Sequence, residues 1–291
     1  MSTQIVIHLL PSEIDWFEWQ SKQFKLGSYN IKSKVIIDVT LNLNLVDWNK
    51  SKIPKQFFID KFNQIKRLWD WAEIKFDVDA ENIYLGCNDK RREAIRSTNA
   101  DNILYLDSDV LFQPELLKTI TEATNLINHE YYIVSPQTVK MWDNSWDVIT
   151  NEEYLLPHST TYSYCSNDPF QVISKPAEQV KLRSITEFKF GGGWFNLIST
   201  KLLKLTDIPD SLGPYGVDDT YVALCCYQMK LKGLRVQQYL LDGLIVTENC
   251  KYRFDPYTNY LHSINKQDAF RTQSQKNLES ELQNFKLKIK L

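Results

Sequence analysis

The segment that most constrains the fold is a short apolar run that ends in two carboxylates. Residues 102–106 are polar only at Asn102 and lead directly into Asp107, Ser108 and Asp109. A run this short, rich in Ile, Leu and Tyr and bounded by polar residues, is typical of a buried strand in an α/β sheet. Ligands of open α/β sheets bind just beyond the carboxyl ends of the strands, where these aspartates lie. Their hard oxygen donors suit Mn²⁺ or Mg²⁺.

The spacing of the two aspartates is by itself a weak signal. The same Asp-x-Asp pattern occurs at Asp77 and Asp79, where no buried strand precedes it, and we interpret that pair as a solvated turn. The preceding apolar run is what distinguishes Asp107 and Asp109. It is therefore the context of the pair, rather than the pair, that predicts a metal site.

Apolar segments of strand and helix period alternate along the chain. Strands are predicted at 4–10, 34–41, 131–135, 190–198, 234–241 and 244–247, and helices at 56–76, 89–97, 114–127 and 218–232. Residues 136–188 are predicted to be irregular, because they contain four prolines and many Ser, Thr and Asn. This order predicts an α/β fold with one domain over residues 1–260 and a C-terminal helical tail over 261–291.

Composition restricts the class of protein. Hydrophobic residues make up 43% and charged residues 24% of the 291 residues, which is enough for a packed core, and the net charge of −2 gives no global signal for nucleic acid or an anionic membrane. The five cysteines have neither metal-ligand spacing nor an even number, so we expect buried free thiols in a reducing compartment. The N-terminal apolar run, residues 5–10, is too short for a signal peptide or a membrane span. We therefore expect a cytoplasmic protein.

Two further patterns contain residues suited to chemistry. Asp218 and Asp219 begin a predicted helix, where the helix dipole favours an ionised carboxylate; they could act as a general base or could simply cap the helix. Three glycines at 191–193 precede Trp194 and a predicted strand. Glycine lets a ligand approach the backbone closely, so this bend could shape a sugar pocket or could be only a turn.

In this order, the three patterns resemble nucleotide-sugar glycosyltransferases of the GT-A fold, especially the inverting family 2 group and the galactosyltransferases. Arg91, Ile95, Ile103 and Leu106 also match the helix and strand that lead into the Asp-x-Asp motif of that family. The similarity covers about residues 1–250. It implies a Rossmann-like mixed sheet flanked by helices in a single domain with a helical appendage.

The resemblance also implies a role for each matched residue. Asp109, helped by Asp107, would hold Mn²⁺ or Mg²⁺ on the diphosphate of a nucleotide-sugar, commonly linked to UDP, and Arg91 would lie close to the nucleotide. Gly192, Gly193 and Trp194 would border the transferred sugar and the acceptor. Asp219 would match the catalytic base of the family, with Asp218 in the place of its neighbouring Glu.

The chain departs from the family pattern at three places. Arg92 and Ala94 stand where the family prefers Asn and Gly. Many members also have a metal-binding or phosphate-binding His after the last core strand, whereas the corresponding strand of this chain ends in Glu248. Either Glu248 or His262 is therefore predicted as the further metal ligand.

The predicted function is a metal-dependent, inverting glycosyltransferase of hexosyltransferase type that acts on an acceptor hydroxyl. A glycan acceptor is favoured over nucleic acid, although a hydroxymethylated base of viral DNA is an alternative. A non-catalytic carbohydrate-binding protein of the same fold is a second alternative. A nucleotidyltransferase is disfavoured, because residues 10–13 lack the glycine-rich, lysine-bearing loop that such an enzyme has after its first strand.

Overall fold

The structure is a computed structural model. It describes residues 1–29, 31–44, 46, 48–49, 51–79, 86–141, 161–164, 173, 180–186, 193–248 and 264–289. The strands are β1 (Ser2–Leu9), β2 (Lys34–Asn42), β3 (Glu73–Asp79), β4 (Asn102–Leu106), β5 (Val110–Leu111), β6 (Tyr131–Met141), β7 (Thr161–Tyr164), β8 (Lys181–Ile185), β9 (Phe195–Ser199) and β10 (Val236–Glu248). The helices are α1 (Ile14–Gly27), α2 (Lys55–Lys66), α3 (Cys87–Ser97), α4 (Leu116–Leu126), α5 (Thr200–Thr206), α6 (Asp218–Leu231) and α7 (Ile264–Lys288).

The strands form one mixed sheet in the order β3-β2-β1-β4-β9-β6-β10-β5, with β7 beside β6 and β8 beside β10. The strands β3, β2, β1 and β4 are parallel, and β9 is antiparallel to both β4 and β6. β10 is parallel to β6 and antiparallel to the short β5. The predicted α/β mixed sheet with flanking helices is therefore confirmed.

The sheet separates two apolar layers, because alternate residues of a strand point to opposite faces. In β1, Ile5, Ile7 and Leu9 lie on the first face of the sheet, in a first core with side chains of α1, α2 and α4. Val6 lies on the second face, in a second core with side chains of α3, α5 and α6. Full burial of each such side chain contributes about 1.5–3 kcal/mol. These two layers fix the position of α3 and α6, which contribute to the candidate site.

A buried ion pair holds α3 on the second face of the sheet. Lys90 and Asp38 are 1% and 3% exposed, and the Lys90 ammonium contacts the Asp38 carboxylate. Gln4 Nε2 donates a hydrogen bond of 2.6 Å to the other carboxylate oxygen of Asp38. A buried charge is tolerated when it is paired and hydrogen-bonded, and Asp38 meets both conditions through Lys90 and Gln4.

The structure contradicts the predictions for residues 56–76, for Asp77 and Asp79 and for 136–188, and it joins the strands predicted at 234–241 and 244–247 into the single strand β10. The helix predicted at 56–76 ends at Lys66, and the strand β3 follows after a short turn. The apolar residues change from helical spacing to alternation at Ile74 and Phe76, which pack on the core from an edge strand. Asp77 and Asp79 lie in this strand and not in a turn. The region 136–188 is also less irregular than predicted, because β6 extends to Met141 and β7 and β8 lie within it.

The predicted C-terminal helix is present as α7. Phe285 and Ile289 are buried in the second core, where Leu278 and Leu282 pack against it. The α7 helix packs against α6 and the turn Asp210–Leu212. The domain boundary after residue 260 stays a prediction.

Three of the five cysteines lie in the described residues. Cys225 and Cys226 are buried and free, and Cys87 is free and partly exposed, which agrees with the prediction of free thiols. Cys165 and Cys250 lie outside the described residues. In the part of the chain that the structure describes, none of the helices has the length and apolar character needed to cross a membrane.

Candidate active site

The loop between β4 and β5 carries the aspartate pair, as the sequence predicts. All five residues of β4 are buried. The backbone N–H of Asp107 donates to the carbonyl of Trp194 at 3.0 Å. Gln20 Nε2 donates to the carbonyl oxygens of Asp107 and Val110 at 2.8 and 2.7 Å. The backbone around both carboxylates is thus fixed from the residue before β9 and from α1.

The two aspartates of this loop differ in access to solvent. The side chain of Asp107 is 38% exposed, whereas Asp109 is 2% exposed. Between them, the hydroxyl of Ser108 donates to the buried carboxylate of Glu13. Asp107 is therefore the member of the pair that a ligand from solvent can reach directly.

Arg91 connects this loop to the second acidic pair. Its Nη1 lies 2.6 Å from Asp218 Oδ2, and its Nη2 lies 3.2 Å from Asp107 Oδ1 and 3.3 Å from the carbonyl oxygen of Gly193. Its guanidinium also stands over the ring of Tyr105, with Cζ at 4.9 Å from the ring centroid. The planar, branched donor set of arginine makes such multiple contacts possible. One buried side chain of α3 thus joins β4, α6 and the segment before β9.

The charge of Arg91 is kept by its neighbours. Burial by itself would lower the pKa of the guanidinium, but Asp218 and the other negative groups around it raise that pKa well above its ordinary value. Arg91 therefore stays protonated. Asp218 is in turn held in an ion pair with this buried guanidinium.

Asp219 has a different environment from its neighbour. It is partly exposed, and its Oδ1 accepts hydrogen bonds from the Thr220 N–H and hydroxyl at 2.6 and 3.3 Å. Burial and the charge of Asp218 raise the pKa of Asp219 to about 6, although Arg91 and the bonds from Thr220 oppose the change. A carboxyl group that titrates near neutral pH is suited to act as a general base.

Gly193 lies directly against the carboxylate of Asp219. A Cβ atom at this position would lie 2.7 Å from Asp219 Oδ2, so any side chain here would displace that carboxylate. The same residue gives its carbonyl to Arg91. The predicted glycine requirement at 193 therefore has a steric reason, whereas Gly191 and Gly192 lie outside the described residues.

The remaining predicted site residues are placed less favourably for contact with a ligand. The indole of Trp194 is 5% exposed and packs in the first core. Glu248 is fully buried at the end of β10, opposite Val110, the residue that follows Asp109. His262 lies outside the described residues. Glu248 is therefore at the same edge of the sheet as the aspartate pair.

The donor set fits a divalent cation only in part. Among the described residues, no three His, Cys, Asp or Glu side chains come together as a metal site. Asp107 and Asp109 supply hard carboxylate oxygens from one loop. Mg²⁺-type cations are commonly held by one or two carboxylates with the remaining ligands from substrate phosphates and water. Asp107, the accessible member of the pair, is thus suited to a metal that arrives with a phosphorylated ligand.

Several residues of the site were not predicted from the sequence. Tyr105 lies under Arg91, and burial raises the pKa of its phenol well above the ordinary value. Gln20 and Glu13 hold the β4–β5 loop from the first helical segment. Each of these is an ordinary polar or aromatic residue in its local sequence. No local pattern marks them, because their partners are more than ten residues away along the chain.

Comparison with known proteins gives structural similarity alone. No family model matches the sequence, and a search of curated proteins also finds no match. Solved structures that are similar include residues 1–349 of TarS from S. aureus in complex with UDP, at 14% identity and a TM-score of 0.45. The alignment covers 85% of this chain and 60% of that one.

Two further structures are similar at the same level. The mannosyltransferase PcManGT from Pyrobaculum calidifontis, in complex with GDP-Man and Mn²⁺, has 14% identity and a TM-score of 0.49, with 87% of this chain and 58% of that chain covered. Glucosyl-3-phosphoglycerate synthase from Mycobacterium tuberculosis, in complex with Mn²⁺, UDP and phosphoglyceric acid, has 12% identity and a TM-score of 0.49, with 97% and 78% covered.

The three structures described above are GT-A-type glycosyltransferases, the family that the sequence resembles. The chain spans about 60% of the length of the first two proteins. At these identities and TM-scores the likeness by itself assigns neither an activity nor a substrate to this chain.

Proposed function

We propose that the protein is a glycosyltransferase of hexosyltransferase type, which moves a sugar from a nucleotide-sugar to an acceptor hydroxyl. The observation that carries the proposal is the arrangement around Arg91. Its guanidinium contacts Asp107 at the carboxyl end of β4, and also Asp218 and Gly193, next to Asp219. One polar cluster thus contains Asp107, whose carboxylate is accessible to a donor from solvent, and Asp219, whose carboxyl has a pKa of about 6.

On the donor side, Asp107 and Asp109 would hold Mn²⁺ or Mg²⁺ together with the diphosphate of the nucleotide-sugar. When bound, the metal would supply Lewis-acid stabilisation of the leaving diphosphate. Glu248, at the same edge of the sheet, or His262 is proposed as a further ligand. We propose a UDP-linked donor, whose transferred sugar would be bordered by Gly192, Gly193 and Trp194.

On the acceptor side, Asp219 would take the proton of the attacking hydroxyl. At neutral pH, a carboxyl with a pKa of about 6 is mostly ionised and can accept that proton. Arg91 and Asp218 are proposed to hold this part of the site in position, because they are buried and paired with each other. A single base on the acceptor side is consistent with an inverting displacement. A glycan acceptor is favoured, and a modified DNA base is the alternative; a cytoplasmic location stays a prediction.

The experiment is a donor screen with the full chain. UDP-linked and GDP-linked sugars are incubated with Mn²⁺, and slow release of the nucleotide is followed with and without a chelator. We expect turnover that the chelator abolishes and that Asp107→Asn and Asp109→Asn remove. Asp77→Asn is the matched control, because that carboxylate is 67% exposed on the edge strand β3.

The variant Asp219→Asn separates binding from transfer. We expect it to bind the donor as tightly as the wild type, measured by calorimetry, and to lose transfer to an acceptor. Normal transfer by this variant would refute the assignment of the base. Sugar binding without nucleotide release from any donor would instead favour a non-catalytic carbohydrate-binding protein.

A further inference from the structure

The loop that precedes Asp218 has an unusual backbone. Gly213, Gly216 and Val217 have φ angles of +69°, +96° and +49°. Glycine adopts such values readily, but a β-branched residue such as Val217 does so at a cost in free energy. Residues in these conformations persist only where their surroundings hold them. Val217, the residue directly before the acidic pair, is therefore held in this conformation by contacts from the rest of the fold.

The carbonyl of Gly216 is bound from two helices that are distant in sequence. Asn88 Nδ2, from α3, donates to this oxygen at 3.0 Å. Ser274 Oγ, from α7, donates to the same oxygen at 2.7 Å. Both donor residues are fully buried. Because a carbonyl oxygen has two lone pairs, these two bonds satisfy it and fix the orientation of the Gly216–Val217 peptide.

Further contacts of α7 lie on either side of this carbonyl. Arg271 Nη2 lies 3.3 Å from the hydroxyl of Tyr215, and its Cζ stands 5.5 Å from the centroid of the same ring. A Cβ atom on Gly216 would lie 3.1 Å from the Cα of Arg271, so the helix backbone packs directly on the loop. The loop also accepts a bond of 2.9 Å from the Asn88 N–H at Pro214.

The helix α7 is itself anchored away from the loop. Phe285 and Ile289 are buried in the second core. Asn277 Nδ2 donates to the Ser211 carbonyl at 2.5 Å, and the Ser211 hydroxyl donates to Glu281 at 2.6 Å. The position of Ser274 is therefore set by the rest of the molecule, and the loop adapts to it.

We infer that Ser274 and Asn88 are positioning residues for the acidic pair. Together they fix the Gly216 carbonyl and hold Val217 in its left-handed conformation, from which α6 begins with Asp218 against Arg91 and Asp219 beside Gly193. The C-terminal helix is thus part of the site and not an appendage to it. As a statement about catalysis, this inference rests on the proposed function.

The experiment compares Ser274→Ala with Ser274→Thr, which keeps the hydroxyl, and with Ser280→Ala, an exposed position on the same helix. We expect Ser274→Ala to lower kcat for transfer about tenfold or more while the donor KM stays unchanged, because the β4–β5 loop is not touched. Ser274→Thr should recover most of the rate. Ser280→Ala should behave as the wild type.

Amide hydrogen exchange supplies a measurement that does not depend on activity. The N–H of Tyr221 donates to the Val217 carbonyl at 2.8 Å, so loss of the constraint should speed exchange at residues 217–221. Exchange in β4 should be unchanged. We expect this local effect in Ser274→Ala and not in Ser280→Ala.

The outcomes separate this inference from the proposed function. If the wild type transfers sugar while Ser274→Ala keeps both kcat and exchange rates, the inference is wrong and the proposed function stands. An equal loss of kcat, donor binding and thermal stability would show a merely structural role and would also overturn it. If the wild type has no activity with any donor, the proposed function fails, and faster local exchange in Ser274→Ala alone still supports the positioning role.

Discussion

Replacing Asp219 with asparagine should stabilise the fold at neutral pH while it removes transfer. The folded protein raises the pKa of this carboxyl from an ordinary 3.8 to about 6, with burial as the main cause and the Asp218 charge as the second. Ionised Asp219 therefore opposes folding. Asparagine has nearly the same shape, carries no charge, and can still accept the hydrogen bond from the Thr220 N–H.

The size of the effect follows from the linkage between protonation and folding. At about 1.4 kcal/mol for each pH unit, the difference between 3.8 and 6 corresponds to about 3 kcal/mol. Between these two pH values the folded chain holds a proton at Asp219 that the unfolded chain has released. The stability associated with this proton is fully present below about pH 4 and is lost as the pH rises through 6.

The assay is urea unfolding of the wild type and Asp219→Asn at pH 4, 5, 6 and 7.5. We expect the free energies of unfolding to be nearly equal at pH 4 and the variant to be more stable by about 2–3 kcal/mol at pH 7.5. Asp60→Asn corrects for the simple loss of a surface negative charge, because that carboxylate is exposed on α2. A stability difference between wild type and Asp219→Asn that does not change with pH would refute the pKa of Asp219 and its assignment as a base.

Further predictions concern the same cluster and its support. Below about pH 6 the rate of transfer should fall about tenfold for each pH unit, because Asp219 becomes protonated; a flat profile to pH 4.5 would contradict this. Gly193→Ala should lower kcat with an unchanged circular dichroism spectrum, since the new Cβ would lie 2.7 Å from Asp219 Oδ2. The double variant Gly193→Ala/Asp219→Asn should have the same kcat as Asp219→Asn alone, because both changes act on the same carboxylate. Lys90→Met should lower the free energy of unfolding by about 3–5 kcal/mol in urea, because it leaves Asp38 buried without its cation; an unchanged midpoint would contradict it. Asp109→Asn should weaken the binding of Mn²⁺ in the presence of the nucleotide, which calorimetric titration with Mn²⁺ measures without any need for turnover.

The local sequence was sufficient wherever the pattern was contained within one element. The apolar residues before Asp107 predict a buried strand, and β4 is that strand. The helix predicted to start at Asp218 starts at that residue. Where the period of the pattern changes within one apolar stretch, as between Lys66 and Phe76, no local signal marks the boundary, and the edge strand β3 was not predicted.

The roles of individual side chains depended on partners that no local pattern contains. Arg91 was predicted to lie close to a nucleotide, and the structure pairs it with two carboxylates, one of them 127 positions away. The C-terminal helix was predicted as an appendage, yet Ser274 binds the loop before the acidic pair. Such contacts are decided by how the elements pack.

The sequence by itself determined that this chain forms an α/β sheet and where its acidic pairs stand relative to strand and helix ends, because hydrophobic period and helix boundaries are local properties. Only the tertiary structure decided what each acid can do. Asp218 and Asp219 are neighbours of the same residue type, and apart from the family resemblance no pattern in the sequence distinguishes them. The folded chain places Asp218 against the buried guanidinium of Arg91 and Asp219 beside Gly193, where the pKa of Asp219 is about 6. The two carboxyl groups differ because the electrostatic environment of each is set by the residues that pack around it.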